Sequence, residues 1–124
     1  MEALVCYNKG MKYLLKLEEF AMFMFGALMF FGMRVQWWWF FVLILAPDLG
    51  MLGYYVNPKV GSITYNILHH KAVGLGLIAL GFGLNNKPIL AIGIIIFTHS
   101  SMDRIFGFGL KYPDSFKHTH LGNL

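Results

Sequence analysis

The chain has 124 residues, of which 57% are hydrophobic, 17% aromatic and 13% charged. That is about half the charge of an ordinary soluble domain, and a mean hydropathy of +0.59 suits a chain solvated by lipid. The net charge of +4 comes from basic residues scattered singly beside apolar runs, a membrane-topology pattern that argues against nucleic acid as a partner.

One domain, 1–124, fills this length, since four spans of about 20 residues use most of it. A polar lead-in with Lys9 and Lys12 precedes an apolar segment over 13–33, interrupted near its start by Glu18 and Glu19. Arg34 and Gln36 mark a turn. Trp37, Trp38 and Trp39 then open a second span that reaches residue 55, with Tyr54 and Tyr55 at its other end; such aromatic clusters favour the headgroup level. Asn57-Pro58 is a turn followed by a helix start, which predicts a third span over 58–84. Its glycines at 74, 76, 81 and 83 offer small faces for close helix packing. Asn85-Asn86-Lys87-Pro88 makes the next turn and leads into a fourth span over 88–110. Connections this short force antiparallel neighbours. The tail KYPDSFKHTHLGNL is too polar to span, and is either a lid that brings His118 or His120 to a site or a frayed terminus. The expected fold is therefore an all-α membrane protein, with four antiparallel transmembrane helices and a short polar C-terminal tail.

Lys9, Lys12, Lys16, Lys59, Arg104, Lys111 and Lys117 fall on the side carrying both termini, against Arg34 and Lys87 opposite. The positive-inside rule then puts both termini of this multi-pass chain in the cytoplasm. Cys6 has no intrachain disulfide partner, and no small-residue cleavage site follows a short apolar stretch near the start, so export and processing are not expected.

Ionisable groups inside apolar runs are costly and need a common explanation. At about 1.5 Å of rise per residue, Glu18 lies about 8 Å in from the cytoplasmic end, Asp48 and Asp103 about 10 Å, and His69 and His99 about 16 Å. His99 and Asp103 are one helical turn apart, and Asn66, His69 and His70 follow an i, i+3, i+4 stripe. Pro47 removes an N–H just before Asp48 and frees the carbonyl of Leu43, which opens the second helix beside a carboxylate. Imidazole and carboxylate together suit zinc, iron or manganese. The expected metal ligands are Asp48, His69, His99, Asp103 and His120. Asp48, His99 and Asp103 also form the expected catalytic set with Glu18 as base, while Arg104 and Asn66 are expected to bind substrate. Asp103 has an alternative use in pairing with Arg104 or Lys111. The spacings match no His-Glu-x-x-His pattern.

The stretches LLKLE, APDLGMLGY, NPKVGSITYNILHH and HSSMDRIFGFGLKYPDSFKHTHLG resemble a small bacterial membrane family, domain of unknown function 4260. The resemblance spans nearly the whole chain and implies a place in the bacterial inner (cytoplasmic) membrane. It implies matching positions at Glu18, Asp48, Asn66, His69, His99, Asp103, Arg104, Lys111, Tyr112 and His120, and departures at Glu19, His70 and His118. A Pro-Asp on one helix, followed by Thr-His-Ser and a downstream Asp, is also similar to bacterial membrane-bound metal-dependent hydrolases. Together these imply metal-assisted hydrolysis of a lipid-like substrate, with membrane lipids as partners. Two other classes stay open: a small ion, proton or metal transporter using the same groups as a relay, as a homo-oligomer because four short helices enclose little space, and a structural membrane subunit.

Overall fold

Helix formation begins at the outset: α1 (Glu2–Gly32) opens the computed structural model, which describes residues 2–123. The expected first span is thus the second half of a longer helix. Arg34, in the left-handed region at φ 57°, turns the chain. The expected second span is interrupted beside Pro47, where an opening was expected. It divides into α2 (Trp38–Leu43) and a 3-10 helix (Ala46–Tyr55), because Pro47 has no N–H to continue the α ladder.

Asn57 caps α3 (Pro58–Leu68), its side chain accepting the Val60 N–H at 2.8 Å. The expected third span is also broken. His69 and His70 leave the helix, and α4 (Lys71–Gly83) starts afresh with the His70 ring accepting the Ala72 N–H. Side chains that bond backbone groups offer the chain an alternative to a continuous helix. After α4, Asn85 takes the left-handed conformation at φ 50°, and Asn86 N–H reaches back to the Gly81 carbonyl at 2.8 Å. This closes the helix in the manner of a Schellman turn.

α5 (Lys87–Phe106) stops short of residue 110 for the same reason. Gly107, at φ 89°, lets the Phe108 N–H bond the Asp103 carbonyl, folding the tail back over the helix end. That tail carries a two-residue hairpin, β1 (His118–Thr119) antiparallel to β2 (Gly122–Asn123), with Thr119 opposite Gly122.

The elements pair in opposing order. On α4 and α5, Gly74 meets Phe97, Ile78 meets Gly93 and Gly81 meets Leu90, while Gly76 and Gly83 face open space. A Cβ on Gly93 would sit 2.6 Å from the Ile78 nitrogen, so only glycine permits this approach. The 3-10 helix packs on α3, where the Thr64 hydroxyl donates to the Gly50 carbonyl at 2.6 Å. α1 packs on α5, with Phe30 and Ile94 both 1% exposed.

α5 is the centre of this arrangement, buried on all sides over residues 93–101. Around it the outer faces are apolar and exposed, including Leu14, Leu17, Phe25, Leu28, Leu49 and Leu52. By length and composition, two segments can cross a membrane among the described residues, Trp38–Tyr55 and Lys87–Phe106, and Lys71–Gly83 is a shorter apolar helix.

Candidate metal centre

Thr98, His99, Ser100 and Ser101 are fully buried on α5. The three hydroxyls are satisfied within the helix, Thr98 on the Ile94 carbonyl at 2.6 Å, Ser100 on Ile96 at 2.7 Å and Ser101 on Phe97 at 3.1 Å. This leaves His99 as the group that reaches out of α5.

His99 Nδ1 lies 2.5 Å from the Ile44 carbonyl oxygen. A carbonyl can only accept, so Nδ1 carries the proton. The Ile44 carbonyl is free for a local reason: in the 3-10 register its partner is the residue three ahead, and that residue is Pro47. Asp48 N–H bonds the Leu45 carbonyl instead. The freed carbonyl that builds the site is thus Ile44's and not the expected Leu43's.

His69 is fixed in the same way. Its Nδ1 donates to the Tyr65 carbonyl at 2.8 Å, and its ring stacks on Tyr65 with centroids 3.7 Å apart. Both imidazoles therefore turn Nε2, an acceptor in the neutral ring, toward the same point, and the two nitrogens are 3.0 Å apart. Asp48 Oδ1 stands 3.2 Å from His69 Nε2 and 3.3 Å from His99 Nε2. Asp103 completes the group at 3.4 Å from His69 and 3.5 Å from His99. All four ligand atoms lie within 4.8 Å of one another. Tyr65 Oη holds Asp103 by donating to Oδ2 at 3.0 Å.

Two neutral nitrogen lone pairs and two carboxylates facing one another repel unless a cation lies between them. With bonds of 2.0–2.2 Å, a tetrahedral ion has ligand atoms about 3.3–3.6 Å apart, close to the imidazole–carboxylate separations of 3.2–3.5 Å. The residues can therefore hold a metal ion. The backbone carbonyls on both Nδ1 atoms are the outer hydrogen bonds that metal-binding histidines ordinarily have. The group is reached on the Asp48 side, where that side chain is 44% exposed against 11% for Asp103. A cavity of about 240 Å3 opens there between Asp48, Tyr65, Asp103, Lys111 and Phe116.

Asp48, His69, His99 and Asp103 come together as expected, from the 3-10 helix, the end of α3 and α5. The other expected site residues do not join them. His120 lies in the tail, where its Nδ1 accepts the Leu110 N–H at 2.7 Å. Asn66 clamps the tail, its amide meeting both the N–H and the carbonyl of Lys111 at 2.7 and 2.8 Å. Arg104 donates to the His69 and Phe108 carbonyls, at 3.2 and 2.8 Å. Glu18 is exposed on α1, while its neighbour Glu19 pairs with Lys71, the cation left inside the third predicted span. Asp103 pairs with neither Arg104 nor Lys111, since Tyr65 and the imidazoles occupy it. His118 turns to Asp114, whose carboxyl that contact holds below the usual carboxylate range. Tyr65 is the contributor that sequence reading passed over. Its signal was its place one turn before His69, on the same stripe.

The sequence profile of a family described as domain of unknown function (DUF4260) matches residues 12–124. None of the curated proteins or solved structures compared with the chain matches it. All four residues of the centre fall inside the matched stretch, and the chain belongs to the DUF4260 family.

Proposed function

We propose that this chain is a multi-pass membrane protein with a divalent-metal centre at its cytoplasmic end, and that the centre performs metal-assisted hydrolysis on a lipid-like substrate. One observation carries the metal reading: both Nδ1 atoms are committed to backbone carbonyls, so both Nε2 lone pairs converge on two carboxylates. Two carboxylates balance a divalent ion, which leaves the centre neutral in a medium where net charge is costly. Zinc, iron and manganese all accept this donor set, and hydrolysis needs a further, fifth position on the ion for water, on the open Asp48 side. Such an ion lowers the pKa of bound water and polarises a scissile bond. Within the chain, Tyr65 orients Asp103, and the half-exposed Asp48 stands on the side where substrate and water enter.

Membrane residence draws support from the two apolar segments long enough to cross and from the outward-facing leucines and phenylalanines of α1 and the 3-10 helix. Lys12, Lys16 and Arg104 gather beside the tail, which supports cytoplasmic termini by the positive-inside rule. Lipid is the expected solvent of the outer faces.

Elemental analysis of gently purified protein tests the metal, with about one zinc, iron or manganese per chain expected. Hydrolysis of an ester or phosphodiester chromogen, in detergent, should then rise on adding that metal and fall on chelation. Metal-free protein whose melting is unmoved by all three ions would leave a proton in the metal's place and favour the relay reading. Bound metal without hydrolysis would remove the enzyme alone. A reporter fused after Leu124 that is active outside the cytoplasm would reverse the orientation.

A further inference from the structure

The cavity beside the centre contains a cation that nothing above uses. Lys111 is 5% exposed, and its Nζ donates to the Phe116 carbonyl at 2.9 Å. The same ammonium sits 3.9 Å from the centroid of the Phe116 ring and 4.7 Å from that of Tyr65. It borders one cavity with Asp48 and Asp103, yet among the described residues no carboxylate lies within 4.0 Å of it. An ammonium has three donors. One is committed here, and the aromatic faces attract the charge without taking the other protons.

The backbone around Lys111 is held firmly. Asn66 binds both its N–H and its carbonyl, and an isolated bridge joins it to Thr119. Asn66 and Tyr65 are neighbours on α3, so one short stretch of helix positions the lysine and, through Tyr65, the Asp103 carboxylate. Charge balance then matters. A divalent ion neutralised by Asp48 and Asp103 leaves Lys111 as a buried cation with no anion beside it, which is unfavourable without a partner.

We propose that Lys111 is the anion-binding residue of this centre, holding a phosphate group in the cavity next to the metal. This inference rests on the metal reading above. It names the substrate class: a phosphate ester small enough at its head for about 240 Å3, whether borne by a lipid or free in water.

The test uses the full chain in detergent, loaded with cobalt(II) so that the visible spectrum reports the coordination sphere. Titrating inorganic phosphate should shift the spectrum. In Lys111→Met, half-saturation should need about tenfold more phosphate, the usual scale for losing a charged hydrogen bond, while cobalt affinity is kept. Lys111→Arg should restore most of the response. A purely structural strut over Tyr65 would move cobalt affinity or melting and leave the phosphate titration of the loaded protein unchanged. Lys111→Gln is the second neutral variant should Lys111→Met lose its fold, because an amide can still donate to the Phe116 carbonyl.

A second arm replaces inorganic phosphate with phosphatidic acid in nanodiscs of neutral lipid. A response to phosphatidic acid at lower concentration assigns a lipid source, and the reverse order assigns a soluble one. Equal phosphate titrations in wild type and Lys111→Met, both fully loaded, overturn the proposal and leave the metal reading intact. A wild type that binds cobalt but answers neither ligand does the same. A wild type that binds no cobalt overturns both.

Discussion

The largely buried stretch of α5 over residues 93–103 has two halves, held by different means. Over residues 93–97 the helix has apolar side chains and a glycine, and its stability comes from backbone approach: Gly93 against Ile78 and Gly74 against Phe97. Over residues 98–103 it is polar at almost every position, and it survives burial because each polar group has a partner. The first half tolerates no added atom. The second depends on a partner for each polar group. Burial alone therefore says little about what a position does, and the kind of neighbour says much more.

Breaking the first half should have the largest effect. Gly93→Leu puts a Cβ within 3 Å of α4 backbone at Ile78, Gly74 and Leu77, which no side-chain rotation relieves. Overpacking a close helix contact in this way costs about 3 kcal/mol or more. The expected outcome is loss of a cooperative melt in detergent, and a variant that melts like wild type would mean that the helices separate without penalty.

Breaking the second half should remove the metal and leave the fold. His99→Ala deletes one of the two imidazoles proposed as ligands and leaves the Ile44 carbonyl without its donor, a cost of about 1–3 kcal/mol for a buried acceptor. Metal per chain should fall from about one toward zero, while the variant still melts cooperatively. Chelated wild type should melt close to His99→Ala if metal binding supplies much of the difference. Equal metal content in variant and wild type would sink the assignment.

His69 and His70 sharpen the same contrast on adjacent residues. His69 is fully buried and aims at Asp48 and Asp103, whereas His70 is exposed and caps α4. His70→Ala should cost about 1 kcal/mol, the typical price of a cap, with metal content unchanged. Metal loss on that substitution would show that the helix break and the ligand set are one unit.

The smallest effect is expected in the tail. Burial, reinforced by the Arg104 charge, holds His120 below the usual imidazole range, and its ring must be neutral at Nδ1 to accept the Leu110 N–H. The unfolded chain therefore binds more protons than the folded one as pH falls from about 6.5, so stability rises with pH in that window. Tail amides should exchange faster as pH drops toward 5, and His120→Asn should flatten the dependence. A slope of the opposite sign would mean that the folded tail prefers the charged ring.

Much of this was legible in the residues. Asn57-Pro58 and Asn86-Lys87-Pro88 start helices where they were read, because capping is local chemistry. His99 and Asp103 share a stripe because four residues make about one turn. Helical rise put Asp48 and His69, about 10 and 16 Å in, within one half of the membrane, and their side chains do meet. It put Glu18 there as well, whose side chain is exposed on α1, since depth along a helix carries no information about direction around it. Likewise Arg104 carries the type of charge that binds anions, but its contacts are the carbonyls of His69 and Phe108.

What this sequence determined by itself is therefore a lipid-compatible composition, the turns near Arg34, Asn57 and Asn85, the interruption at Pro47, and its family. Each of these depends on residues a few positions apart, or on a sum over the chain. Only the tertiary structure decided which imidazole nitrogens face inward, and that Lys111 rather than Arg104 stands at the cavity. Those outcomes depend on partners far along the chain, the Ile44 carbonyl 55 residues from His99 and the Lys111 backbone 45 residues from Asn66. Helical periodicity repeats every 3.6 residues and cannot register a hydrogen bond that forms only after the helices have packed.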